Sequence, residues 1–116
     1  MSVRKIDKQD WTAFCDAVSK GLSGRHAEIE VESLDIGSQI EAESLPLLGV
    51  AYDPKDDIME IALDGLDHLI SHPRALNADI GPGGLMTLEV IDADNAHQIV
   101  KLRDPLMLPS YPAGRG

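Results

Sequence analysis

The sequence predicts an α+β domain: one N-terminal helix packed on a strongly twisted, mostly antiparallel sheet of about six to eight strands, able to curl into a partial barrel. Three observations carry this. Only one stretch, Asp7 to about Lys20, repeats its apolar residues with a helical period. From Ala27 onward the period falls to two, as in a strand with one wet face. No helical pattern recurs between the later apolar runs, so nothing supplies the crossovers that a parallel sheet needs.

The helix reads clearly. Asp7 stands as N-cap, with Asp10 at the third position of a capping-box-like arrangement and Ile6 and Trp11 placed as a hydrophobic staple. Trp11, Phe14, Cys15, Val18 and Leu22 then form one apolar stripe, and Gly21 sits where a helix-ending glycine belongs. Ala27, Ile29 and Val31 alternate with Glu28, Glu30 and Glu32. Leu34–Gly37 turns the chain, and Gln39–Leu45 returns with Ile40 and Ala42 against Glu41 and Glu43. The stretch Ser44–Asp64 reads as the centre of the sheet, two apolar strands (Leu47–Tyr52 and Ile58–Leu63) joined by Asp53-Pro54-Lys55-Asp56-Asp57. Runs so short and apolar suit strands covered on both faces. Leu66–Ser71 is a further strand, broken at His72-Pro73, and Arg74–Ile80 continues beyond the kink. After the loop Gly81-Pro82-Gly83-Gly84, Leu85–Asp92 and His97–Arg103 make a last hairpin. The expected core includes Trp11, Phe14, Val18, Ile29, Val31, Leu48, Val50, Ile61, Leu63, Leu88 and Val90. The domain is expected to span residues 1–109, with 110–116 as a flexible tail rich in proline and glycine.

Ile29–Leu48 laid on Leu88–Met107 without gaps matches Glu30/Glu89, Val31/Val90, Asp35/Asp94, Gln39/Gln98, Ile40/Ile99, Pro46/Pro105 and Leu47/Leu106. Two readings stand: a pair of related hairpins placed by an approximate two-fold axis, or chance similarity between acidic hairpins whose second strands differ in apolar phase.

Composition excludes several roles. With 116 residues the chain buries roughly 65% of its unfolded surface without needing disulfides or metals. Twenty Asp and Glu against ten Lys and Arg give a formal net charge of −10, which repels nucleic-acid backbones and anionic membranes. The single cysteine allows no internal disulfide and fits a reducing, cytoplasmic setting. Charges appear from Arg4 on, so the N-terminus has no apolar signal segment, and no run reaches the length of a membrane span.

No catalytic set can be assembled. Cys15 lies within the helix stripe, where a free cysteine is ordinarily a small core residue. His68 and His72 have no zinc-type spacing; on a strand His68 and Ser71 face opposite ways, and the Pro73 kink disturbs His72. Asp53, Asp56, Asp57 and Asp64 fail as a calcium loop because Lys55 and Ile58 occupy positions that need an oxygen ligand and a glycine. Gly81–Gly84 lacks the Lys-Ser/Thr of a phosphate-binding loop. The grouping His72-Pro73-Arg74 mixes a titratable ring, a rigid kink and a fork of donors, so with His68 it forms the candidate ligand site; the plain account is that Arg74 pairs with one of many surface acids.

The stretches VRKIDKQDW, AEIEVESLDIGSQIEAESLPLLGVAYDPKDDIMEIALDGLDHLISHPR and LEVIDADNAHQIVKLRDPLMLP together resemble a family of small, stand-alone bacterial proteins classed as a domain of unknown function (family 5335). The resemblance runs from Val3 to Pro109. It implies a soluble single-domain protein and brings no catalytic residues or cofactor. The sequence is therefore read as a non-enzymatic interaction or binding module that self-associates, as a dimer. The alternative is a small-ligand protein or enzyme with a cleft near His68, His72 and Arg74. Neither reading involves a metal, nucleic acid or membrane.

Overall fold

The computed structural model describes residues 2–21, 25–33 and 37–106, and it opens with a strand the apolar pattern hides. This strand, β1 (Ser2–Ile6), pairs antiparallel with β6 (Ala75–Gly81), placing Ser2 opposite Ile80. Its sequence gives little sign of this, because Ile6 enters the core while Val3, Arg4 and Lys5 stay exposed. A 3-10 turn, Lys8–Asp10, then leads into the helix α1 (Trp11–Gly21). The side chain of Asp7 makes no capping hydrogen bond; instead the backbone N–H of Asp10 donates to the carbonyl of Asp7 at 2.8 Å. The tighter 3-10 turn satisfies the amide that a side-chain cap was expected to take. The apolar stripe is otherwise as expected: Trp11, Phe14, Cys15 and Val18 are all buried, each worth about 1.5–3 kcal/mol for the large apolar ones. Leu22 lies outside the described residues.

Among the described residues eight strands form one sheet in the order β1-β6-β7-β8-β2-β3-β4-β5, and every pairing is antiparallel. The remaining strands are β2 (His26–Ser33), β3 (Gly37–Asp53), β4 (Ile58–Leu63), β5 (Leu66–Ser71), β7 (Gly84–Ile91) and β8 (His97–Leu106). The α+β class therefore holds, weighted heavily toward sheet, with a single short α-helix among the described residues. Gln39–Leu45 and Leu47–Tyr52 are one strand rather than two, since β3 runs unbroken through Pro46. Its first part pairs with β2 as far as His26–Pro46, and its second part pairs with β4 from Leu47 on. Proline has no N–H to give a ladder, so the change of partner falls where the ladder is already weakest. Likewise Ala75–Gly81 does not continue β5. After His72-Pro73-Arg74 the chain crosses to the other half of the sheet, between β1 and β7.

A register shift between Leu47 and Gly49 resets the inward face of β3. Leu47, Val50 and Tyr52 are buried, whereas Leu48, expected in the core, is 62% exposed. With the bulge, two residues separate consecutive inward positions instead of one, so simple alternation misplaces Leu48. Val31 is only half-buried. The central hairpin is also covered on one face only, because β4 buries Met59, Ile61 and Leu63 and leaves the residues between them part-exposed.

Helix α1 closes a gap left by this change of partner. The Ser19 hydroxyl donates to the carbonyl of Val50 at 2.8 Å and accepts from its N–H at 2.9 Å. A side chain thereby serves as neighbour to a strand edge that β2 no longer covers. The two halves of the sheet also meet. His68 on β5 and Gln98 on β8 are hydrogen-bonded at 2.5 Å, although four strand spacings of about 4.8 Å would set those strands about 19 Å apart in a flat sheet. The sheet is thus folded back on itself but open, with β1 and β5 as its end strands.

Hairpin β2–β3 and hairpin β7–β8 share their register near the turn: Glu30↔Ile40, Val31↔Gln39 and Glu32↔Ser38 correspond, at one constant offset, to Glu89↔Ile99, Val90↔Gln98 and Ile91↔His97. The strand order relates them by a shift of two places along the sheet rather than by a two-fold axis. The expected tail, 110–116, lies outside the described residues.

Candidate functional site

Hydrogen bonds join the link between β5 and β6 to the turn between β3 and β4 and to the turn between β7 and β8, and an ion pair ties the first of these turns to Lys8 in the 3-10 turn before α1. Asp57 is the hub. Its carboxylate accepts the Tyr52 hydroxyl at 2.6 Å, lies 3.7 Å from the Lys8 ammonium, and meets His72 Nδ1 at 3.3 Å. Its backbone carbonyl accepts the N–H of His72 at 2.8 Å. The Tyr52 bond, aided by His72 and Lys8 against the opposing effect of burial, holds the Asp57 carboxyl below its ordinary range. Burial and the same bond push the Tyr52 phenol up to about 12. Asp53 and Asp92 do what short acids do in turns: Asp53 accepts from the N–H of Lys55 and of Asp56, and Asp92 from those of Asp94 and Ala96.

The three residues singled out in the sequence take separate partners here. His68 is half-buried and bonded to Gln98, whose amide nitrogen donates to Asp92 at 2.8 Å. His72 is exposed and turned to Asp57. Arg74 donates to the Asn95 side chain at 2.8 Å, while its N–H donates to the carbonyl of Ile91. Asn95 and Asp57 are the partners that sequence reasoning passed over. Three of the four non-glycine residues with positive φ among the described residues are Asp57, His72 and Asn95. Asp, His and Asn are the types that tolerate this region best, which was the available signal.

Cys15 has no part in this region. It is buried with its sulfur 3.6 Å from that of Met59, and desolvation, with Asp16 nearby, pushes its thiol up to about 12. A thiol so held is a poor nucleophile. Among the described residues no group of three His, Cys, Asp or Glu comes together as a metal cluster, and no helix is long and apolar enough to cross a membrane.

A second feature lies on the outer face of β3, β4 and β5. Ala51, Glu60 and Leu69 make one cross-strand row, and Gly49, Ala62 and Asp67 the next. Leu69 is 57% exposed, and Leu48 stands beyond the bulge on the same half of the sheet. Among the described residues no strand pairs with the far edge of β5.

On the outer face of the other half, Glu89 accepts from Asn77 at 3.0 Å and meets His97 at 2.7 Å. Desolvation raises its carboxyl, but these two bonds outweigh that and hold it below its ordinary range. Lys101 is bonded to Glu30 at 2.6 Å and keeps that carboxyl low in the same way.

A model described as a family of unknown function (DUF5335) matches residues 2–111. An uncharacterised protein of Aquifex aeolicus (strain VF5) is 37% identical over 110 residues, which span 94% of this chain and 99% of that protein. No solved structure matches.

Proposed function

The chain belongs to the DUF5335 family of unknown function, and from its geometry we propose that it is an interaction module that pairs with a second copy of itself along β5. The observation that carries this reading is the contrast between the two ends of the sheet. Natural edge strands are blunted with charge, and β1 carries Arg4 and Lys5. β5 (LDHLIS) holds one acid, has no lysine or proline, and exposes Leu69 at the end of the row that runs through Glu60 to Ala51. A two-fold axis through Leu69 would extend the sheet antiparallel and set Asp67 opposite Ser71 of the second copy, so that no two carboxylates face each other.

Sedimentation across a wide concentration range tests this. A monomer–dimer equilibrium is expected, and Leu69→Lys should weaken it roughly tenfold or more with little change in folding. A monomer throughout, or a dimer indifferent to Leu69→Lys, would overturn the reading.

The gathering of Asp57, His72 and Asn95 in left-handed conformations beside His68 and Arg74 favours a second reading, a ligand site at the turn end. On that reading, protein purified gently from its host carries extra mass in native mass spectrometry. His72→Ala and Arg74→Ala would each lose that mass while folding normally; retention by both variants would remove the idea.

A further inference from the structure

We infer that a hollow on the outer face of β1, β6, β7 and β8 is a binding site for a primary ammonium group. The hollow measures about 190 Å³ and is lined by Val3, Asn77, Asp79, Thr87, Glu89 and Ile99. One of the lining residues is the half-buried Asp79, whose Oδ1 is shut off from water and has no hydrogen-bond partner. An unpartnered carboxylate oxygen out of water is costly, and folded proteins rarely leave one.

The surrounding groups define what would satisfy it. Thr87 stands directly opposite Asp79 in the β6–β7 ladder, which places their Cβ atoms about 5 Å apart. Asn77 turns its amide nitrogen to Glu89, so its oxygen is the end left to accept. Asp79, Thr87 and Asn77 thus offer three acceptors, matching the three donors of an –NH₃⁺ group. A calcium ion needs six or more oxygens, and both oxygens of Glu89 are already engaged by Asn77 and His97. Glu89 still contributes negative potential at the rim. Val3 and Ile99 supply apolar walls for the first carbons of an alkyl chain. The volume lies below that of a drug-sized pocket, so it suits a short alkylamine or the end of a lysine side chain.

Backbone-amide NMR titration with n-butylammonium chloride tests the site, against sodium chloride at matched ionic strength and against calcium chloride. A blocked lysine-containing peptide forms a second arm. Saturable shifts are expected around residues 77–79 and 87–89. Asp79→Asn and Thr87→Val should each weaken binding about tenfold or more, while Asp16→Asn, at an exposed carboxylate on α1, leaves it unchanged. Saturation by the amine alone assigns a free alkylamine, and tighter saturation by the peptide assigns a protein lysine; either carries the proposal. Shifts that never saturate, equal affinity in Asp79→Asn, or tighter saturation of the same amides by calcium would overturn it.

Discussion

Asp57 joins three segments through one side chain and one carbonyl, and it does so with φ at 55°. Because the Tyr52 hydroxyl, with His72 and Lys8, holds its folded carboxyl below the ordinary range, the folded chain binds that proton more weakly than the unfolded chain does. The linked stability is therefore present above the unfolded value and lost as pH falls through the lower folded one. Asp57→Asn keeps a residue type suited to positive φ and removes the titration, so its melting temperature should fall less steeply than that of the parent below about pH 4. Parallel melting curves from neutral to acid pH would contradict this. Ser19→Ala tests a different kind of residue. It strips both partners from Val50, and leaving part-buried backbone groups unpaired should cost about 1–3 kcal/mol in urea unfolding. An unchanged midpoint would mean that water replaces the hydroxyl without loss.

Strand β3 shows how one irregularity redirects a whole element. Alternation read from the sequence assigns Leu48 and Val50 to the same face, and the bulge after Leu47 separates them. The two neighbouring leucines should therefore respond oppositely to truncation. Leu47→Ala opens a cavity and should cost about 2–5 kcal/mol, whereas Leu48→Ala should stay within about 0.5 kcal/mol. Equal losses in denaturant melts would mean that the bulge is absent in solution. The edge strands teach the complementary lesson. β1 escaped notice because two of its five residues are charged, which is also what protects it as an edge.

For the molecule as a whole, the chain joins distant segments: β1 meets β6, and β2 meets β8, before either half is complete. Such non-local pairing is slow, so refolding is expected on the millisecond-to-second scale. Trp11, the sole tryptophan, sits edge-on to Tyr52 with ring centroids 5.0 Å apart and offers the probe. A stopped-flow fluorescence trace that is complete within its dead time would contradict the expectation. The same long-range closure brings His68 to Gln98 and Arg74 to Asn95, contacts that no local pattern could announce.

Local periodicity by itself determined the helix stripe, the alternating strands after Ala27, the β3–β4 and β7–β8 hairpins and the aliphatic core, because burial of one face imposes a period on each element. The residues of three long stretches, rather than any period, carried the resemblance to the family whose model matches residues 2–111. Which strands lie side by side, where β3 changes partner and how Ser19 caps its edge were decided only in the tertiary structure. So was the opposition of Asp79 and Thr87 across two strands. These depend on contacts between residues far apart in the chain, and a bulge of one residue is enough to overturn a face assignment that every neighbouring residue supports.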